Sequence, residues 1–405
     1  MREVIKQLQQ LAVERPVGSV ANQNISEWFV EYAKNLGCEV EELSFPCMEW
    51  KKSDSTLKCD GLELEIIPAP FSLGINVNST ILRAKSKNDL QQLSQAEVTG
   101  RILCLEEELT IEPLMPKDFP FYYPEEHRWL NDTLEELCPA AILSVTGKHP
   151  LTGENPFPLT DDGAFNIPSA SLRKEKAESL FQLGTDQRVD LNIVSRRQPS
   201  SGIQPMAFIR SENHREDTPL VLIGAHLDTK YDTPGALDNA TGVTTLMQLM
   251  KSLRNGVPGL ELLFIPFNGE EHYQVPGQMA AIKYLEAHLH RLKLMINLDG
   301  LGHKNGKTAL STYNLDPETE MRLNDLMKHH PIMTYGDSWV EGDHSMFSFQ
   351  GISCLALTSS NLLTEVIPLA HTQSDTLHHV DPEIIIKTAV FLADAVRDFV
   401  SKTGK

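Results

Sequence analysis

Apolar and polar positions in the second half of the chain follow two alternating patterns. Short, almost wholly apolar runs are typical of strands that are buried on both faces, and four of them occur here: Leu220–Ala225, Leu260–Pro266, Leu294–Leu298 and Ile352–Thr358. Between the runs lie helical patterns. One places apolar residues three or four positions apart from Val243 to Leu253, and another begins near Pro382, a residue that suits the first turn of a helix. This alternation predicts an α/β domain of three layers, α/β/α, with a mixed sheet.

The first half of the chain has a different pattern of apolar and polar residues. Arg2–Glu14 and Ser26–Leu36 have helical spacing, but this segment is too short to form a core alone and needs the later sheet. From 54 to 196, short strand-like runs and turns predominate, which predicts a β-rich α+β domain. We therefore expect one domain built from 1–53 and 197–405, with 54–196 inserted into it.

Composition narrows the possible classes of protein. Of 405 residues, 41% are hydrophobic and 22% charged, which excludes a globally disordered chain. The formal net charge of −19 argues against nucleic acid or an anionic membrane as a partner. The sequence has no apolar run of about 18–20 residues, no secretory signal pattern and no CxxC among its six cysteines. These features favour a cytoplasmic protein with no membrane partner.

Acidic and histidine residues collect after the predicted strands. They are His226, Asp228, Asp238, Glu270, Glu271, Asp299 and His371. A lone HxD or a Glu-Glu pair is common in solvated loops, so it is the conjunction of all these residues that indicates a functional site. Open α/β sheets place their sites at the carboxyl ends of strands, which is where these residues lie.

Imidazole and carboxylate groups together suit Zn²⁺ or a similar divalent ion. In an extended HxD the two side chains point the same way, so we expect the Asp228 carboxylate to accept the ring N–H of His226 and fix its tautomer. Asp238 arrives on a turn between strand and helix, where one carboxylate can bridge two ions.

The remaining residues complete a site for two ions. Glu270 and Glu271 provide two carboxylates that point in different directions, one for a metal ion and one for the attacking water. Asp299 and His371 add one ligand for each ion. Two ions about 3.5–4 Å apart can activate a water and clamp a carbonyl between them.

Several motifs resemble those of the M28, or aminopeptidase Y-type, family of co-catalytic zinc metallopeptidases. They are GAHLDT, PGALDNATG, FNGEEH, INLDGLG, GDHSMF and AHTQSDT, in that order. The resemblance implies a zinc exopeptidase fold and two Zn²⁺ ions, for which Co²⁺ or Mn²⁺ could substitute. It also implies a role for each residue: His226 and Asp299 on one ion, Glu271 and His371 on the other, Asp238 bridging, and Glu270 as general base.

The segment 54–196 resembles the protease-associated domain that many members of this family carry. The similarity lies in VTGRILCLEEE, CPAAILSV and FNIPSASL. Two departures from the family concern the substrate pocket: HYQVPGQ follows the Glu pair instead of a Gly-Ser continuation, and Leu227 replaces a frequent aromatic residue.

We expect an aminopeptidase that acts on peptides. A carboxypeptidase normally binds the substrate carboxylate with Arg, whereas Asn255–Ile282 and Val340–Asp381 contain no Lys or Arg. The alternatives are a zinc carboxypeptidase or dipeptidase of the same fold, and a catalytically inactive binding protein. A full set of ligands argues against a single-zinc glutaminyl cyclase, and the short distance along the chain from Asp299 to His371 leaves no room for the lid of the dimerising metallopeptidases. The side-chain preference, the native metal, the oligomeric state and the roles of Asp343 and His344 stay open at this level.

Overall fold

The computed structural model describes residues 1–146, 158–182, 188–211 and 215–403. The chain divides into two compact units, which we call the larger unit (Met1–Cys47 with Ser200–Lys405) and the inserted unit (Met48–Pro199).

Eleven α-helices and fifteen strands are found in the described ranges. The helices are α1 (Arg2–Leu11), α2 (Val20–Asn35), α3 (Lys87–Gln92), α4 (Gln95–Val98), α5 (Glu125–Leu137), α6 (Lys174–Phe181), α7 (Thr241–Ser252), α8 (Pro276–Leu285), α9 (Pro317–Met327), α10 (Ser345–Ser348) and α11 (Pro382–Thr403). The strands are β1 (Glu39–Lys52), β2 (Ser55–Cys59), β3 (Leu62–Pro68), β4 (Ile75–Ala84), β5 (Ile102–Leu105), β6 (Ala141–Thr146), β7 (Ser169–Arg173), β8 (Arg188–Ile193), β9 (Ser195–Ile209), β10 (Leu220–His226), β11 (Glu261–Phe267), β12 (Leu292–Leu298), β13 (Thr308–Tyr313), β14 (Met333–Tyr335) and β15 (Cys354–Ser359).

An eight-stranded mixed sheet forms the centre of the larger unit. Its strand order is β1-β9-β11-β10-β12-β15-β13-β14. The four apolar runs of the sequence become the parallel strands β11, β10, β12 and β15, and the antiparallel strands β9 and β13 flank them. This arrangement confirms the predicted α/β class and brings the carboxyl ends of the four parallel strands to one edge.

Both faces of this sheet are covered, which explains why its central strands are apolar throughout. Along β10, Val221 and Ile223 face a cluster that includes Phe29 of α2, Leu246 of α7 and residues of α11. The alternate residues Leu220 and Leu222 face a second cluster with residues of α8 and α10. The larger unit therefore has the three layers that were predicted, helices, sheet and helices.

The inserted unit is rich in strands. Seven strands close on themselves in the order β2-β3-β7-β6-β5-β4-β8. Alternate residues such as Leu57, Leu64 and Leu191 fill its interior, and Leu103, Leu134 and Ile142 belong to a second cluster in which α5 takes part. Positions 147–157 and 183–187, which the sequence-based boundaries 54–196 include, lie outside the described residues.

The observed bounds differ from the expected ones where polar residues control them. Helix α2 begins at Val20 rather than Ser26, because the Ser19 hydroxyl caps it by accepting the N–H of Asn22 at 3.1 Å. Strands β13 and β14 were not predicted from the sequence, because their mixed composition has no apolar run.

Among the helices of the described ranges, none has the length and apolar character that crossing a membrane requires.

Candidate active site

The predicted site residues converge at the carboxyl edge of the sheet. His226 is the last residue of β10, and the two glutamates follow the end of β11, whose Phe267 is in register with His226. Asp299 directly follows β12. Because these strands are neighbours and parallel, residues far apart in sequence arrive at one place.

Asp238 lies between two imidazoles. Its Oδ1 atom is 2.9 Å from Nε2 of His226, and its Oδ2 atom is 3.2 Å from Nε2 of His371. Asp299 Oδ1 lies 3.4 Å from the same His226 nitrogen, and Glu271 Oε1 lies 2.8 Å from His371 Nε2. The carboxylate of Asp238 therefore joins two groups of donor atoms, one on each side.

The expected contact between Asp228 and the ring of His226 needs correction. The Asp228 carboxylate is 4.0 Å from Nδ1 of His226, and the backbone carbonyl of Asp228 is nearer, at 3.3 Å. The carboxylate instead accepts the backbone N–H groups of Gly269, Glu270 and Glu271 at 2.9, 3.2 and 3.1 Å. Three N–H donors converging on one buried carboxylate outweigh a single distant ring nitrogen, so Asp228 orients the loop that carries the two glutamates.

Two further polar residues fix the backbone near these groups. Asp375 accepts the N–H of Leu237 at 2.8 Å and that of Asp238 at 3.0 Å, which sets the position of the central carboxylate. The amide of Asn268, just before the glutamates, exchanges hydrogen bonds of 2.8 and 3.0 Å with the amide of Asn22 in α2. Helix α2 thus contributes directly to the geometry of the site.

Electrostatics at the site reflect an excess of negative charge. Burial lowers the pKa of His226, but Asp299 and Asp238 raise it by more, so this pKa lies well above its ordinary value. In the same way Glu271 and Asp238 outweigh burial and raise the pKa of His371 to about 10. Burial raises the pKa of Glu270 well above its usual range; His226 opposes that shift, and the charges of Glu271 and Asp299 add to it.

The donor set fits divalent cations. Three groups of side chains each bring ligand atoms within 4.8 Å of one another: His226 with Asp238 and Asp299, His226 with Glu270 and Glu271, and Asp238 with Glu271 and His371. Nitrogen and oxygen donors of this kind suit Zn²⁺. Buried carboxylates also require nearby positive charge, because an unpaired buried charge is costly. Both the chemistry of the donors and their negative charge therefore favour cations between them.

Arg15 is a residue of the site that the sequence interpretation missed. It is fully buried, and its guanidinium donates to the carbonyls of Leu227 at 2.5 Å, Pro234 at 3.1 Å and Gly235 at 3.3 Å. Its backbone N–H donates to Thr229 Oγ1 at 2.9 Å. Arg15 therefore ties the amino-terminal segment to the loop that leads from β10 to Asp238. These three carbonyls lie more than 200 positions later in the chain, and none of the motifs contains Arg15.

Replacing Arg15 should destabilise the larger unit. In Arg15→Met, buried carbonyls lose their donor, and each costs about 1–3 kcal/mol when unsatisfied, so we expect a loss of about 3 kcal/mol or more. The measurement is the urea midpoint, compared with that of Arg397→Met, which removes an exposed arginine paired with Asp394. Equal midpoints for the two variants would contradict this role for Arg15.

Two other residues near the site were also unassigned from the sequence. Lys230 donates to the backbone carbonyl of Glu271 at 2.8 Å. Asp343 is buried and accepts a hydrogen bond from the side-chain amide of Gln278. Burial raises the pKa of the Asp343 carboxyl to about 7. The GDHSMF motif that contains Asp343 was noticed in the sequence, whereas Lys230 carried no signal there.

Comparison with known protein sequences finds similar peptidases. Residues 207–396 match the sequence model of peptidase family M28. Aminopeptidase YwaD of Bacillus subtilis is 25% identical over 265 residues, covering 62% of this chain and 56% of that protein. Leucine aminopeptidase 2 of Trichophyton equinum is 27% identical over 161 residues, covering 37% of this chain and 31% of that protein. The chain thus spans about half or less of the length of these relatives.

Solved structures share the fold over nearly the whole chain. An aminopeptidase from Aneurinibacillus sp. strain AM-1 superimposes with a TM-score of 0.72 at 19% identity, covering 98% of this chain and 92% of that chain. BSAP, a zinc aminopeptidase from Bacillus subtilis, gives a TM-score of 0.72 at 18% identity, with coverage of 98% and 94%.

Proposed function

We propose that this chain, whose residues 207–396 match the sequence model of peptidase family M28, is a zinc-dependent aminopeptidase of that family. The observation that carries the proposal is the position of Asp238, whose two carboxylate oxygens face Nε2 of His226 and Nε2 of His371. A carboxylate between two imidazoles, each accompanied by a further carboxylate, is the donor arrangement that two adjacent divalent ions require.

We assign the ligands as follows. His226 and Asp299 hold one ion, Glu271 and His371 hold the other, and Asp238 serves both. Co²⁺ or Mn²⁺ would suit the same nitrogen and oxygen donors. When bound, the ions supply Lewis acidity toward the peptide carbonyl and make water more acidic.

Glu270 is assigned as the general base. Among the described residues, Glu271 belongs to two of the three groups of donor atoms, one of them with Asp238 and His371. Glu270 belongs only to the group with His226 and Glu271, so Glu270 is the carboxylate that we assign to proton transfer. It takes a proton from the attacking water and returns it to the leaving amine. Asp228 acts through the loop, because its three hydrogen bonds to backbone N–H groups fix the direction in which Glu270 points.

Carboxylates near the metal ligands support action at the amino end. Besides the ligands, the buried Asp343 interacts electrostatically with Asp299 and Glu270, and such acidic surroundings favour a substrate α-ammonium. The relatives named above are aminopeptidases, which supports the same direction. Lys230, a cation near the ligands, already contacts Glu271.

A panel of substrates tests the direction of cleavage. We expect hydrolysis of aminoacyl amides with a free amine, and no hydrolysis of the same amides after N-acetylation. Activity should disappear with a chelator and return with zinc. Release of carboxy-terminal residues from an N-acetylated peptide, with intact free-amine substrates, would overturn the proposed direction.

For the inserted unit we propose a protease-associated domain bounded near 54 and 196. Two of the sequence stretches that suggested it form the adjacent parallel strands β5 and β6. The third contains β7, which pairs with β6. The three stretches are therefore neighbours in one sheet, which supports the resemblance.

A further inference from the structure

Lys230 lies on the loop that follows β10, four positions after His226. Its side chain is 21% exposed. The Nζ atom donates to the backbone carbonyl of Glu271 at 2.8 Å and lies 3.5 Å from Oε2 of the same residue. One ammonium therefore contacts both the main chain and the side chain of a single glutamate.

The two carboxylate oxygens of Glu271 consequently have different neighbours. Oε2 faces Lys230, while Oε1 faces His371 Nε2 at 2.8 Å. The backbone N–H of Glu271 is fixed separately, because it donates to Asp228 Oδ2 at 3.1 Å. Glu271 is thus constrained at its N–H, its carbonyl and one carboxylate oxygen, which leaves Oε1 directed toward the other donors.

We propose that Lys230 is a positioning residue that fixes Glu271 as a ligand through Oε1 alone. The inference rests on the proposed two-ion site and adds to it a residue that none of the family motifs contains. It predicts an asymmetry between the two ions. Lys230 supports the ion assigned to Glu271 and His371, and the ion assigned to His226 and Asp299 depends on other contacts.

The sign of the effect distinguishes positioning from simple electrostatics. A cation close to a bound dication repels it, so on charge alone the loss of Lys230 would tighten metal binding. A residue that orients a ligand has the opposite effect, because the loss of such a partner costs about 10–100-fold in metal affinity. Positioning therefore predicts weaker binding after the positive charge is removed.

The test is a zinc titration of apoprotein in competition with a chromophoric chelator. We compare the wild type with Lys230→Met, Lys230→Gln and Lys230→Arg, and use Lys387→Met as a control that removes an exposed helical lysine. For Lys230→Met we expect one of the two zinc affinities to fall about 10–100-fold and the other to stay unchanged. Lys230→Arg should recover part of the loss, and the control should match the wild type. Thermal unfolding of each apoprotein establishes that it is folded.

Three results would overturn the proposal for Lys230. They are unchanged or tighter binding of both ions in Lys230→Met, equal weakening of both ions, and a loss in Lys230→Arg as large as in Lys230→Met. If Lys230→Met does not fold, Lys230→Gln decides by the same criteria, since it removes the charge and its shorter side chain cannot bring a donor to the position of Nζ. Failure of the wild type itself to bind zinc would instead refute the proposed function, so the two failures are distinguishable.

Discussion

Glu270→Gln should lower kcat about 10²–10⁴-fold, the usual contribution of a general base, while zinc stays bound. Glutamine keeps the size and polarity of glutamate but cannot accept the proton from water. The loop should retain its conformation, because the hydrogen bonds to Asp228 come from backbone N–H groups that the substitution leaves in place.

The measurement for this variant combines steady-state kinetics on a free-amine aminoacyl amide with the zinc content of the same preparation. Glu383→Gln is the matched control, since it changes an exposed glutamate paired with Lys387. Near wild-type kcat in Glu270→Gln with zinc retained would refute the assignment of the base. A loss of zinc along with activity would instead indicate that Glu270 is a ligand.

Asp238→Asn should reduce the affinity for both ions. The two oxygens of Asp238 face different imidazoles, at 2.9 and 3.2 Å, whereas an asparagine offers one oxygen and no negative charge. We expect each affinity to fall by more than the ~10–100-fold that indirect partners of a ligand contribute, and activity to fall with it.

Equilibrium dialysis against zinc checks this prediction. The control is Asp325→Asn, which removes an exposed carboxylate of α9 paired with Lys328. Loss of a single ion with the other at wild-type affinity would show that Asp238 belongs to one ion only. Unchanged binding of both would remove Asp238 from the ligand set.

Much of the fold follows from the sequence because burial on two faces leaves a clear pattern. The ends of the parallel strands β10, β11, β12 and β15 coincide with those of the apolar runs to within two residues. Strand β13 shows the limit of this reasoning. It pairs with β15 along its whole length, but its sequence, TALSTY, mixes apolar and hydroxyl residues and has no run to detect.

The residues of the site likewise fall into those that the sequence reveals and those that it does not. Residues that directly follow buried strands were identifiable, because strand ends meet at one edge of a parallel sheet. Arg15 was not, since its partners are backbone carbonyls, which carry no sequence signature. The HxD pattern placed Asp228 in the correct region and gave it the wrong partner, because the pattern alone does not reveal the three N–H groups that the following loop presents.

The placement of cations shows a third limit. The segments Asn255–Ile282 and Val340–Asp381, which carry the glutamates and His371, both lack Lys and Arg. Lys230 belongs to the loop after β10 and reaches Glu271 across the strand edge. Only the three-dimensional arrangement relates these two loops.

The central claim is that Asp238 and its four neighbouring ligands bind two divalent ions that are needed for peptide hydrolysis. The most direct measurement is the zinc content per chain of apoprotein during zinc titration, followed together with hydrolysis of a free-amine aminoacyl amide. We expect saturation at two zinc ions per chain, with activity reaching its maximum at the same point. Saturation below one ion per chain, or full activity in metal-free protein, would contradict it.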